Sequence, residues 1–282
     1  MKYKFRDLEY NFSERSFIMG IINITPDSFS DGGKYFRESK PDFENIINDA
    51  IKMEREGADF IDIGGESTRP GAEKIPTNEE LERVIPVIEQ LSQKIKIPIS
   101  IDSYKSEVVE EAFKVGAEIV NDISGFTFDK NLPEIVSKYN KSCILMHIKG
   151  TPSNMQINPQ YENVVKEVYN FLENSKEIAE NTGIKQIILD VGIGFGKTLE
   201  HNIKLLTELS EFKRLGYPLL IGLSNKSFID KIIPTPVKER LYGTIAANVI
   251  AILNGGNIIR VHNVLENKRA AVIADYIKKY GK

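Results

Sequence analysis

The chemistry open to this sequence rests on a few polar side chains that each follow a short apolar run: Asn23, Asp102, Asn121, Asp190, Lys226, Arg260 and His262. A carboxylate accepts two parallel hydrogen bonds, so Asp102 and Asp190, with the amide of Asn121, suit a flat heterocycle bearing adjacent N–H donors. Each hydrogen bond to a charged group contributes about 1.5–3 kcal/mol, so one such carboxylate can set ring specificity. Arg260 offers a forked donor to phosphate oxygens, His262 adds a second, and the amide oxygen of Asn23 can take a place on Mg²⁺. That trio suits a phosphorylated group. Lys226 supplies a further ring contact or meets an anion. Phe29 and Phe195 stand in glycine-containing loops, read as flexible, that can close over a flat aromatic molecule. Ser227 is expected to cap a short helix whose N-terminus welcomes a carboxylate.

Each of these residues also has a plainer reading. Asp102 and Asp190 can cap the helices that follow them, and Asn121 can be a turn residue. Lys226 can be solvated, and His147 and His262 can be satisfied core histidines. The plain readings leave one thing unexplained, which is convergence. Two similar-looking motifs fail on spacing. Gly192-Ile-Gly-Phe-Gly-Lys-Thr198 is one residue short of a phosphate-binding P-loop, and the histidines at 147, 201 and 262 lack the spacing of a zinc site.

Convergence requires elements that bring these positions together. Apolar runs rich in Ile and Val predict strands at 17–22, 59–63, 98–101, 118–120, 143–146, 186–189, 218–221 and 257–260. Helical patterns lie near 42–56, 78–94, 105–115, 132–139, 160–182, 199–214, 237–254 and 265–279. The strands lack alternation and read as buried on both faces, as parallel strands do. Strand then helix, eight times over, predicts an α/β chain folded as a (β/α)8 TIM barrel, whose working residues stand at the C-terminal ends of its strands. An open doubly wound sheet would want a glycine-rich turn after its first strand, where Asn-Ile-Thr-Pro-Asp stands instead. One domain over 1–282 is expected, with a short lead at 1–15 that caps the barrel bottom.

Composition excludes several classes. The 282 residues are 41% hydrophobic and 27% charged, enough for a sizeable core, and a net charge of −3 gives no basic stripe for nucleic acid. A lone cysteine, Cys143, permits no internal disulfide and suits a reducing cytoplasm. The opening MKYKFRDLEYNF has no apolar core or cleavage site, so no secretion signal is expected, and no apolar run is long enough to span a membrane.

The segments MGIINITPDSFSDGG, DIGGESTRPGA, SIDSYK, VNDISG, LMHIKG, DVGIGFGKT, GLSNKSF and RVHNV, one per strand end and in order from Met19 onward, closely resemble the dihydropteroate synthase family. The resemblance implies a transferase of folate biosynthesis, joining 6-hydroxymethyl-7,8-dihydropterin diphosphate to 4-aminobenzoate with loss of pyrophosphate. It implies that Asp102, Asn121, Asp190 and Lys226 hold the pterin, with Met146 among the substrate-binding residues. Asn23, Arg260 and His262 would hold the pyrophosphate and its Mg²⁺, with Arg69 nearby. Thr68, Pro70, Phe195 and Ser227 would form the 4-aminobenzoate pocket, and Asp27 and Phe29 a mobile first loop. Asp102, Asp190, Lys226, Arg260 and His262 would carry catalysis, pyrophosphate leaving before the arylamine attacks. The family also implies a homodimer through helices late in the chain, and it is the one that sulfonamides target. Val191, Asn225 and Asn263 depart from residues frequent in it. A pterin-dependent methyltransferase would share the ring-binding acids but has no diphosphate leaving group. A non-catalytic pterin binder would have lost ligands, and a Schiff-base aldolase would use Lys226 covalently.

Overall fold

A two-residue period sorts the side chains of every parallel strand in this protein between two buried faces. The computed structural model describes residues 1–26, 35–37 and 40–281. An antiparallel hairpin of β1 (Lys2–Phe5) and β2 (Leu8–Asn11) leads into β3 (Phe17–Asn23). A short antiparallel pair, β4 (Phe36–Arg37) and β5 (Lys40–Pro41), precedes α1 (Phe43–Arg55). Strand and helix then alternate: β6 (Phe60–Gly64), α2 (Thr77–Lys94), β7 (Ile99–Asp102), α3 (Ser106–Lys114), β8 (Ile119–Asp122), α4 (Leu132–Lys138), β9 (Ser142–Met146), α5 (Val164–Asn181), β10 (Ile187–Asp190) and α6 (Leu199–Thr207). The chain closes with β11 (Leu219–Ile221), α7 (Ser227–Ile232), α8 (Leu241–Leu253), β12 (Ile258–Val261) and α9 (Val264–Tyr280). Strands β3 and β6 to β12 pair in parallel and close on themselves, β12 returning to β3. This is the (β/α)8 barrel. No described helix is long and apolar enough to cross a membrane.

The outward positions, among them Ile18, Ile61, Ile99, Val120, Leu145, Leu189 and Ile259, join the helices in one large core cluster. The inward positions nearer the strand starts, Phe17, Met19, Phe60, Ile119, Ile144, Ile188, Leu220 and Ile258, form a second. The hairpin completes that second cluster with Tyr3, Phe5, Tyr10 and Phe12: Phe5 meets Phe60 and Phe12 meets Phe17 edge to face, Tyr10 meets both at a tilt, and Tyr3 packs on Phe5 and Phe12. The buried phenols of Tyr3 and Tyr10 donate to the carbonyls of Ile187 and Asp59, at 2.7 and 3.0 Å. The barrel floor is therefore an aromatic plug, and its open end faces the other way.

Six of the eight barrel strands end on a residue beyond the apolar run that predicted them, at Asn23, Gly64, Asp102, Asp122, Asp190 and Val261. Ladder hydrogen bonds belong to the backbone, so the pairing continues through polar residues that an apolar pattern treats as the stop. The polar side chains are thereby held on the strands themselves. Helix α6 starts at a capping box in which Thr198 and His201 serve each other's backbone, which accounts for His201 as a structural residue.

Candidate active site

Two residues above the apolar inward layer, the same face turns polar. Phe60 is followed on that face by Asp62, Ile119 by Asn121, Ile188 by Asp190, and Ile258 by Arg260 and then His262. Asp102 pairs in register with Gly64 on one side and Asn121 on the other, and Asn23 is level with Gly64. The barrel thus brings Asn23, Asp102, Asn121, Asp190 and Arg260 onto one inward-facing ring.

Arg260 organises half of that ring. Its Nε donates to Asp62 Oδ2 at 2.6 Å and its Nη2 to Asp102 Oδ2 at 2.7 Å. Asn121 Nδ2 also donates to Asp62 Oδ2, at 3.0 Å. The guanidinium fork is therefore engaged by carboxylates, with Nη1 left for an incoming anion. Burial pushes the Asp102 carboxyl up to about 7, against the pull of Arg260 and with Asp62 adding to the rise. Asp62 Oδ1 and Asp102 Oδ1 accept no hydrogen bond from any described residue. Buried acceptors are nearly always satisfied, so this pair marks where donors from outside belong.

The other half centres on Asp190. Its Oδ1 accepts the Gly192 N–H at 2.8 Å. Burial raises its carboxyl, opposed by the charge of Lys226 and by that N–H. Burial also brings Lys226 down to about 8, with Asp190 opposing the fall. The Lys226 ammonium donates to the Ile193 carbonyl and lies 4.7 Å from the centre of the Phe195 ring. Gly192 takes φ of +66°, and a Cβ there would stand 1.9 Å from the His147 carbonyl oxygen, so only glycine fits.

The glycine-containing loop that carries Phe195 is bonded by several side chains. Gln156 donates to the Gly194 carbonyl at 2.7 Å, the Gly194 N–H to Asn202 at 2.7 Å, and Tyr161 to the Gly196 carbonyl at 2.8 Å. Lys197, almost fully buried, lies 2.8 Å from His147 Nδ1 and donates to the Phe195 carbonyl at 2.9 Å. Burial, with Lys197 beside it, takes His147 down to about 2, so the imidazole is neutral. Glycine gives this loop its shape, and side-chain hydrogen bonds tie it to the segment before α5 and to α6.

Above the ring opens a cavity of about 360 Å3, within the range of small-molecule sites. Asn23, Thr68, Arg69, Pro70, Asp102, Phe195, Lys226, Ser227, Arg260 and His262 all line it. Asn121, Asp190 and Met146 are buried and lie outside that lining, Met146 in an apolar cluster with Tyr104, Met155 and Phe195. Asp27 and Phe29 lie outside the described residues. Ser227 was expected as a helix cap. It is instead the first residue of α7, Lys226 holds the cap position, and no side chain caps the turn. His262 Nδ1 is 2.9 Å from the Ser224 hydroxyl.

Several lining or ring residues escaped the sequence reading. Asp62 was legible, since a lone charge two positions after Phe60 must share its inward face. Arg240 was not, because only the packing of α8 brings it to the cavity beside Asn225, whose carbonyl it binds at 3.1 Å. Asn225 itself takes φ of +57°, a conformation asparagine tolerates better than most residues. Asn263 precedes α9 and accepts the Asn267 amide through its carbonyl, and Val191 is buried in the core. Asp122 is a structural residue, accepting from Ser124 and Phe126 to close its own turn.

No cluster of three or more His, Cys, Asp or Glu that could hold a metal occurs among the described residues. Asn23 contributes a single amide oxygen at the cavity wall, 3.5 Å from where a Gly64 side chain would begin. Such a donor set fits Mg²⁺ held chiefly by a substrate diphosphate and water, because this ion keeps several waters and favours phosphate oxygens.

Residues 19–262 match the family described as Pterin binding enzyme. The chain is 46% identical over 276 residues to the dihydropteroate synthase of Clostridium beijerinckii, covering 95% of this chain and 97% of that one. It superposes on the Yersinia pestis dihydropteroate synthase in a sulfonamide drug complex with a TM-score of 0.94, at 39% identity, over 99% of this chain and 100% of that one. A Clostridium difficile dihydropteroate synthase structure determined in the presence of pteroic acid gives 0.87 at 45% identity, covering 97% and 100%.

Proposed function

Since the chain belongs to the dihydropteroate synthase family of pterin-binding transferases, we propose that it joins 6-hydroxymethyl-7,8-dihydropterin diphosphate to 4-aminobenzoate in folate synthesis. The observation that carries the proposal is the polarity of the barrel mouth. The buried side chains of Asp102, Asp190 and Asn121 share the inward ring with Arg260, and the cations of Arg260 and Lys226 line the cavity with His262. A flat ring with several N–H donors and an anionic tail has that same polarity. Pteroic acid, present with the Clostridium difficile relative, contains both halves of the proposed product.

The reaction breaks the bond between the pterin methylene and the diphosphate oxygen, and both electrons leave with the diphosphate. Mg²⁺ bound with the diphosphate supplies Lewis-acid neutralisation of that charge. Asn23 would hold the ion, while Arg260 Nη1, His262 and Arg69 receive the phosphate oxygens. The carboxylates of Asp102 and Asp190 hold the ring and stabilise the positive charge left on its methylene. The amine nitrogen of 4-aminobenzoate then forms the C–N bond and releases its proton to water. Phe195, Pro70 and Thr68 place the arylamine, and Ser227 faces its carboxylate. Positioning replaces a protein nucleophile, as suits a buried Cys143 whose thiol is raised by burial.

The test is diphosphate release from purified protein given the pterin diphosphate, Mg²⁺ and 4-aminobenzoate, omitting each in turn. Dihydropteroate that forms only with all three supports the reading. Tight pterin binding with no diphosphate release refutes it in favour of a methyltransferase or a binder. The pH dependence is also specified. Pterin recognition needs Asp102 ionised and Lys226 charged, so kcat/KM for the pterin diphosphate should rise as pH passes about 7 and fall beyond about 8. Lys226→Arg should push the falling limb to higher pH, and an unmoved limb would assign it elsewhere.

We also propose that the working unit is a homodimer. Helices α8 and α9 pack side by side and leave Tyr242, Ile250, Leu253, Ile273, Tyr276, Ile277 and Tyr280 exposed. On α9 these residues fall at helical spacing along one stripe, an apolar area suited to a self-complementary two-fold contact. Sedimentation should give twice the mass of one chain, and Tyr276→Glu with Ile273→Glu should give the monomer. A monomeric wild type would overturn the assignment.

A further inference from the structure

A second group of buried charges lies at the root of the loop between β6 and α2, where Glu66 reaches the cavity wall while Lys105 and Glu80 stand behind it. Glu66 stands near the start of that loop and Ile75 near its end. Glu66 Oε2 accepts the Ile75 N–H at 2.9 Å and the Lys105 ammonium at 2.7 Å. Lys105 Nζ also donates to the Ile75 carbonyl at 2.8 Å and pairs with Glu80 Oε2 at 2.7 Å. Tyr104 adds its hydroxyl to Glu66 Oε1 at 2.7 Å. Two N–H groups of the ammonium are thus spent on Glu66 and Ile75, and its charge is shared with Glu80.

The arrangement is costly in isolation. The side chains of Glu66 and Glu80 are 5% and 1% exposed, and two carboxylates share one cation. Burial raises the Glu80 carboxyl, and Lys105 opposes the rise. An apolar root would avoid that desolvation. What the ion cluster provides is geometry, because Lys105 joins the two ends of the loop to each other and to the first turn of α2. The crest of the same loop, Thr68, Arg69 and Pro70, lines the cavity, and Lys105 does not. The Gly71 N–H ties the crest to the Pro152 carbonyl at 2.9 Å, in the loop that brings Met155 to the opposite wall. The crest is thus tied through the Gly71 N–H, and the root through Lys105 and through Arg83, which donates to the Gly65 carbonyl at 2.7 Å.

We propose that Lys105 is a positioning residue for the arylamine. Through Glu66, Ile75 and Glu80 it sets where Thr68, Arg69 and Pro70 stand over 4-aminobenzoate, and it touches neither substrate. The inference rests on the function proposed above. The proposed pterin ligands, Asp102, Asn121, Asp190 and Lys226, all lie outside this loop, so the effect should separate the two substrates.

Steady-state kinetics on Lys105→Met, with calorimetric pterin binding, tests this. KM for 4-aminobenzoate should rise roughly tenfold or more, since small misplacements of positioning groups have effects of that size. KM for the pterin diphosphate and the affinity for pterin should stay within about twofold. Lower thermal stability with both KM values unchanged, or both rising together, would show a structural role only and overturn the proposal. Because Lys105→Met alone leaves two buried glutamates without their cation, Lys105→Met with Glu80→Met serves as the second variant. It removes the Lys105–Glu80 charge pair yet still frees the Ile75 carbonyl, so it should fold and show the same split; a folded double variant with ordinary KM values refutes the role. If the wild type itself forms no dihydropteroate, the proposed function has failed; a working wild type with unaltered variants sinks Lys105 alone.

Discussion

Asp190→Asn should lower kcat/KM for the pterin diphosphate by roughly a hundred- to ten-thousandfold while the protein stays folded. The carboxylate keeps one oxygen on the Gly192 N–H, at 2.8 Å, and an asparagine oxygen can do the same. The side-chain NH2 then turns toward the cavity, where the pterin presents donors of its own. Two hydrogen bonds to a charged group are lost, about 1.5–3 kcal/mol each, and a donor faces a donor. The negative charge that helps keep Lys226 protonated disappears as well, so the falling limb of the pH profile should move to lower pH. Calorimetric pterin binding and initial rates read both effects. Ordinary turnover would remove Asp190 from ring recognition.

Arg260→Met should be the most destabilising single change in the barrel mouth. It leaves Asp62 and Asp102 buried side by side without the guanidinium that binds both. Removing one partner of a buried pair costs about 3–5 kcal/mol, because the uncompensated charge remains. The loss should depend on pH in a defined direction. Asp102 already titrates above its ordinary 3.8, and without Arg260 it titrates higher still. Between those values the folded chain holds a proton that the unfolded chain has released, so the variant's stability falls as pH rises through the window. Urea denaturation should therefore show a larger deficit at pH 8 than at pH 5.5. Equal deficits would mean that Arg260 contributes packing there and no charge compensation.

These two residues differ in how far the sequence exposes their roles. Asp190 stands at the end of an apolar run before a glycine-rich loop, and the barrel pattern alone makes it a candidate. Arg260 was legible as a phosphate ligand, but its grip on Asp62 depends on two strands separated by most of the chain. Asp62 illustrates the boundary. Its inward direction follows from Phe60 two residues earlier, yet its partners Asn121 and Arg260 follow only from closure of the sheet.

The amino-acid sequence by itself determined the number and order of the parallel strands, and hence the barrel, because burial on both faces writes Ile, with Leu or Val in several, into every strand at recognisable intervals. It also determined which strand ends carry polar groups. The edges of the pattern were less well defined, since backbone pairing runs on past the last apolar residue. The N-terminal hairpin was invisible as a hairpin: Tyr3, Phe5, Tyr10 and Phe12 become a plug only against Phe17 and Phe60. Likewise Gly194 and Gly196 suggest mobility until Gln156, Asn202 and Tyr161 are seen to bind their loop. Only the tertiary structure decided which acceptors stay open, which cation holds which carboxylate, and that Lys105 ties a loop from behind. Those outcomes depend on distances between residues far apart in the chain, and local periodicity carries no information about such distances.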